Sequence, residues 1–214
     1  MNIRKATKDD CRTIAELGLI AGEGIPAYFW EQSKSADEDL LDAGARNAAS
    51  DSENFSWRNA HLAVIDNRVA GMLLAYRLPD SENADSLDEY PEFIRPLIEL
   101  EQCVPGSFYI NMLATYPEFR NQSIGTNLMG IVDRLAKEAG CSLASIEVFE
   151  ENAGALRLYQ RLGYTIMEKR PVIPHPCHPY HGEIVLLTRP VPDLKSVNTK
   201  TDIRHRRPAQ GFPG

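Results

Sequence analysis

No stretch of this sequence approaches the roughly 18 consecutive apolar residues that a membrane-spanning helix needs, so a membrane protein is not expected. The opening residues Met1-Asn2-Ile3-Arg4-Lys5 run straight into charge and lack the apolar core of a signal peptide. Cysteine is scarce. Cys11, Cys103, Cys141 and Cys177 are widely scattered and form no CxxC pair. That spacing argues against a disulfide framework and points to free thiols in a reducing compartment. The expectation is a cytoplasmic protein. Basic charge is also short, with 23 Lys and Arg against 30 Asp and Glu and a formal charge of -7. A protein that grips a nucleic-acid backbone needs a basic face, so nucleic acid is not expected as the partner. Five of the basic residues (Lys195, Lys200, Arg204, Arg206, Arg207) crowd into the C-terminal segment, which leaves the body more acidic than the total suggests. There is no internal repeat, which excludes solenoids and propellers.

What is present is ordinary for a globular chain: 214 residues, 43% apolar and 25% charged. One domain over residues 1–190 is expected, followed by a basic, flexible tail over 191–214. A chain of this length buries about 70% of its unfolded surface and needs no staple.

Hydrophobic periodicity places the elements. Asn2 to Ala6 reads as a strand. Thr7-Lys8-Asp9-Asp10 resembles a capping box, and Cys11, Ile14, Leu17 and Ala21 recur at helical spacing. Gly22, Gly24 and Pro26 break that helix before an aromatic cluster, Tyr28-Phe29-Trp30. Ser35 to Glu38 predicts the cap of a helix running to about Ala49. His61–Ile65 and Val69–Leu78 form a hairpin across Asp66-Asn67. Residues 79–106 interrupt the pattern as an acidic insertion, with eight acidic residues and Arg95 as its one basic residue. Ser107–Tyr116 is a strand. Ile124 to Ala139 is a helix, Leu143–Phe149 a strand, and Asn152–Leu162 a helix with Gly163 just past its end. Tyr164–Lys169 and Glu183–Thr188 are the last strands. Hairpins mixed with crossovers predict a mixed α/β sheet in one layered domain.

The segment richest in chemistry is Tyr116 to Thr126, between a strand and a helix. The first turn of a helix carries free backbone N–H groups and the positive end of the dipole, so a loop of small residues there can wrap a phosphate or diphosphate. Arg120 adds a charge for the same anion. A plain strand-to-helix turn, with Gly125 allowing tight packing, accounts for the same spacing.

Arg120-Asn121-Gln122-Ser123-Ile124-Gly125 resembles motif A of the GNAT superfamily of N-acetyltransferases, R/Q-x-x-G-x-G/A. Asn152 to Tyr164 is similar to that family's motif B, N-x-x-A-x-x-L-Y-x-x-x-G-[FY], which is the more specific of the two. The resemblance is strong over 107–170, follows element order over 2–78, and is absent from 79–106 and 190–214. There is one departure: the family usually has glycine where Ser123 stands, and often glycine where Asn121 stands.

The resemblance implies a single-domain fold with a mostly antiparallel sheet flanked by helices, whose central strands splay apart. It implies acetyl-CoA as co-substrate, with no metal. The diphosphate would sit on the amides of Arg120, Asn121, Gln122, Ser123, Ile124, Gly125 and Thr126. Pantetheine would run beside Leu113, Ala114 and Thr115. The acceptor would be a primary amine of a small molecule or peptide. Asn152 and Tyr159, seven apart on a helix, share a face. Asn152 would bond pantetheine or a neighbouring loop, and Tyr159 would protonate the departing thiolate. Glu147, mid-strand between Ile146 and Val148, is the candidate base, with Asn111 and Tyr109 as weaker polar candidates. Tyr28, Phe29, Trp30 and His178 are candidates for acceptor binding. His175 to His181 holds three His and one Cys. It reads as a proline-stiffened loop rather than a zinc site. The insertion is either a solvated acidic loop or a cover that attracts a cationic acceptor. Dimers are common among similar proteins, which leaves a homodimer open. A non-catalytic acyl-CoA-binding module is the alternative to an enzyme.

Overall fold

The computed structural model describes residues 1–80 and 86–192, and the expected basic tail lies almost wholly outside them. Seven strands form one sheet: β1 (Asn2–Lys5), β2 (Ala60–Ile65), β3 (Arg68–Arg77), β4 (Phe108–Thr115), β5 (Leu143–Phe149), β6 (Thr165–Pro171) and β7 (Glu183–Pro190). Their order is β1-β2-β3-β4-β5-β7-β6, with β4–β5 the parallel pair and the other neighbours antiparallel. Asp66 and Asn67 both take positive φ, 48° and 62°, as a tight β2–β3 hairpin turn requires.

Helices cover both faces because the strands alternate. Leu62, Met72 and Leu74 pack with Ile14 and Leu17 of α1 (Cys11–Ala21) and Ala48 of α3 (Leu40–Ala48). Ala63 and Leu73 point the other way. They pack with Ile124 and Leu128 of α5 (Ile124–Met129), Ala136 of α6 (Val132–Glu138) and Tyr159 of α7 (Ala153–Arg161). The helix expected as one piece from Ile124 to Ala139 is therefore two, parted at Gly130 and Ile131. The Ile131 N–H bonds the Leu128 carbonyl three residues back and tightens the turn there.

Two further helices differ from the sequence reading. The aromatic cluster lies in a helix of its own, α2 (Ile25–Ser33), capped by Gly24 at φ 100°, with Pro26 in its first turn. Proline is well placed there because its missing N–H has no partner to lose. Ser35 and Glu38 do bond each other, but the helix opens later, capped by Asp39, whose side chain accepts from the Asp42 N–H at 2.7 Å. The insertion carries α4 (Arg95–Glu101), which packs Leu100 into the core with Leu78, Tyr109 and Leu186.

Candidate active site

The site begins where two strands part. β4 and β5 pair at Phe108–Ala144, Tyr109–Ser145 and Ile110–Ile146, and the ladder stops there. On the other side of β4, Ile110 faces Ala75 and Met112 faces Leu74, so Asn111 is the extra residue of a β-bulge. A bulge bends its strand and increases the local twist, which turns Asn111–Thr115 away from β5. The fork follows from that bend, and the edge of β4 it exposes carries backbone groups available to a ligand.

Two cavities flank the fork. One, of about 250 Å³, lies between Leu113–Thr115 of β4 and Val148 of β5, and is closed by Asn152, Ala155 and Tyr159. Arg120 stands at its edge. The other, of about 260 Å³, lies between the turn after α1, α2, the insertion and the fork. Ala21, Asn111, Glu147 and Val148 line both. The cavities therefore adjoin across these four residues, of which Glu147 is the ionisable one.

Glu147 is half-buried, and its Oε1, itself buried, has no hydrogen-bond partner among the described residues. Oε2 accepts from the Tyr109 hydroxyl at 3.4 Å, a long bond. Burial pushes its pKa well above the ordinary carboxyl value, Glu101 pushes further, and the Tyr109 bond opposes both. Tyr159 is 6% exposed. Burial, then Glu23, raise its phenol pKa, so it holds its proton at any working pH.

Asn152 and Tyr159 share the first cavity, as their spacing predicts. Of the two roles open to Asn152, its side chain takes the neighbouring loop. Its Oδ1 caps α7 by accepting from the Ala155 N–H at 3.2 Å, and its Nδ2 donates to Glu23 Oε1 at 2.6 Å. Glu23 escaped the sequence reading. It sits at φ 53° in the turn between α1 and α2, lines the first cavity, and also bonds Tyr180. Its signal was faint: one carboxylate between Gly22 and Gly24. Burial raises its pKa against both hydrogen bonds. Tyr180 stacks on Phe149 with centroids 4.5 Å apart, and its pKa is pushed up to about 12, mainly by burial.

The loop from Arg120 to Thr126 lies beside the first cavity. Asn121 and Ser123 take positive φ, 61° and 60°. Glycine adopts that conformation without strain, which explains why the family pattern carries glycine at these positions. The Arg120 N–H is already taken by the Pro117 carbonyl at 3.2 Å, so the donors left for an anion come from further along the loop. A Cβ on Gly125 would meet Leu158 at 3.4 Å, ordinary contact, so packing alone does not demand glycine there.

The acceptor candidates divide. Phe29 lines the second cavity. Tyr28 faces a separate open groove with His175 and Cys177. Trp30 must be corrected. It is 4% exposed, packs with Ala15, Ala43 and Phe55, and its ring covers Gly44, so it is core. Within one helix, residues 28, 29 and 30 point about 100° apart, so one cluster in sequence serves three places. His178 is also buried, against Phe149 and Phe93, and does not line the cavity. Its Nδ1 lacks a partner among the described residues, and burial lowers its pKa. His175 stacks on Phe93 at 3.9 Å. Among the described residues no cluster of three or more His, Cys, Asp or Glu is placed to hold a metal.

A sheet forked between β4 and β5, a small-residue loop beside the fork and paired cavities meeting at it together define an N-acetyltransferase fold. The match to known families gives the same class. The chain belongs to the acetyltransferase (GNAT) family, whose model matches residues 25–164. Among solved structures, one described as an acetyltransferase aligns at TM-score 0.65 and 18% identity, covering 90% of this chain and 100% of its own. A polyamine N-acetyltransferase of Drosophila melanogaster, which forms N-acetylagmatine, aligns at 0.60 and 14%, covering 88% and 99%. The putative acetyltransferase yncA of Salmonella typhimurium, solved with acetyl-CoA, aligns at 0.55 and 14%, covering 98% of each chain. Comparison with curated proteins finds no match.

Proposed function

We propose that this enzyme transfers an acetyl group from acetyl-CoA to the primary amine of a small molecule or peptide. One observation carries the reading: Glu147, whose Oε1 is buried without a partner among the described residues, lines two adjoining cavities of similar size. A group-transfer reaction needs that arrangement, because donor and acceptor must approach from opposite sides of one reacting centre.

The residues fit acetyl-CoA. The free edge of β4 at Leu113–Thr115 offers a β-like partner to the pantetheine amides, and Arg120 with the loop to Thr126 offers cationic and N–H donors to the diphosphate. When bound, acetyl-CoA supplies an activated thioester, whose C–S bond breaks as the C–N bond forms. Glu147 accepts a proton from the attacking nitrogen, and burial, with Glu101 beside it, strengthens its hold on that proton. Tyr159 donates a proton toward the departing sulfur. Its raised pKa makes it a weak acid, so that transfer belongs to the moment the bond breaks rather than before it. Net, one proton passes from nitrogen to sulfur. Asn152 and Glu23 hold α7 and the α1–α2 turn together around this centre. The cysteines are all free thiols, in keeping with a cytoplasmic setting.

The test is thiol release from acetyl-CoA over a panel of amines. Release that requires an amine is expected. Tyr159→Phe should lower turnover at least tenfold while leaving acetyl-CoA affinity within about twofold. Coenzyme binding with no release for any amine would instead make the chain a binding module.

A further inference from the structure

The 79–106 insertion has no counterpart in the motifs that carry the family resemblance, yet its residues from Tyr90 to Glu101 build one wall of the second cavity. Tyr90 and Ile94 precede α4, and Leu97, Ile98 and Glu101 project from it into the same space. Ile25, Pro26 and Phe29 of α2 face them. At about 260 Å³ the chamber falls below the roughly 300–1,000 Å³ of sites for drug-sized ligands, so its occupant is small.

Among the described residues the charged side chains that line the chamber are acidic: Glu101 and Glu147 line it, and no Lys, Arg or His does. The insertion's Arg95 is engaged elsewhere, donating to the Tyr90 carbonyl at 3.1 Å and lying 3.7 Å from Asp88. The two carboxyl groups act on a common neighbourhood, since Tyr109, which bonds Glu147, also feels Glu101. Polarity therefore gathers at the fork, and the walls made by α2 and α4 are aliphatic and aromatic.

We propose that the acceptor is a small monocationic amine with an apolar arm, its ammonium drawn to Glu101 and Glu147 at the fork and its arm held between α2 and α4, and that Glu101 is the residue selecting it. This assignment rests on the acetyl-transfer reading of the same site. An amino acid would bring a carboxylate against two others. A diamine would bury a second ammonium among Ile25, Ile94 and Leu97, where the described residues offer it no partner. A peptide would need its backbone groups satisfied by walls that offer few.

The experiment is thiol release by the full chain at saturating acetyl-CoA with phenylethylamine, putrescine, phenylalanine and a short peptide. It is paired with calorimetric titration of phenylethylamine into protein saturated with CoA. Phenylethylamine should exceed each other acceptor at least tenfold in kcat/KM. Glu101→Gln should lower its kcat/KM tenfold or more, chiefly through KM for the amine, with KM for acetyl-CoA within twofold. Glu101→Asp, which keeps the charge, should recover part of the loss. Preference for putrescine, phenylalanine or the peptide would overturn the proposal and leave acetyl transfer standing, as would an unchanged Glu101→Gln enzyme. Phenylethylamine binding without thiol release for any amine would support the pocket's chemistry and overturn the reaction. Phenylethylamine that neither binds nor reacts would overturn the proposal outright.

Discussion

A carboxyl group is most stable as an anion in water, so burying the Glu147 Oε1 costs free energy that the single long bond of Oε2 to Tyr109 does not recover. Its folded pKa lies above its unfolded value. The folded protein therefore holds this proton more tightly, and stability falls as pH rises from the ordinary carboxyl pKa through the raised one. Tyr109, Glu101 and Cys103 are the other titratable groups acting on it. Glu147→Gln should accordingly raise the melting temperature at pH 7.5, with the gain disappearing below about pH 4. The same change should cut turnover by roughly 10²- to 10⁴-fold and remove the acidic limb of the rate profile. Unchanged turnover would reduce Glu147 to a structural residue. Much of this was legible beforehand, because alternation along Leu143–Phe149 sets Glu147 apart from Ile146 and Val148. Trp30 was not, because a stretch of neighbouring aromatics does not reveal which one its helix turns inward. Neither was Glu101, one acid among eight in the insertion, since only packing decides which of them faces inward.

At the scale of elements, the turn between α1 and α2 is the hinge on which both cavities depend. Gly22 and Glu23 line one cavity each, and Gly24 lies against the β6–β7 loop. A Cβ on Gly24 would stand 1.7 Å from the Cys177 carbonyl oxygen, at a φ of 100° that side chains rarely adopt. Gly24→Ala is predicted to cost about 2–3 kcal/mol in urea unfolding and to raise the KM for the amine. A loss under about 0.5 kcal/mol would show that the loop yields freely. The strands were readable from their period of two, nearly to the residue. The start of α2 was not, since Gly22, Gly24 and Pro26 signal a break equally well when they end one helix and begin the next. The fork itself was beyond composition and spacing, because a bulge at Asn111 depends on register with β3, not on any local residue preference. It entered the sequence reading only through family resemblance.

For the molecule as a whole, the sheet acts as a divider whose central gap admits two ligands to one point. Donor and acceptor sites of this kind add their binding energies when the two ligands are joined. A conjugate in which the CoA sulfur is linked through an acetyl bridge to the nitrogen of an amine the enzyme acetylates would span both cavities across Glu147. Calorimetric titration of that conjugate, beside CoA alone, tests the arrangement most directly. Affinity at least 100-fold tighter than CoA is predicted. A conjugate that binds no more tightly than CoA would contradict the joining of the two cavities at a single reacting centre.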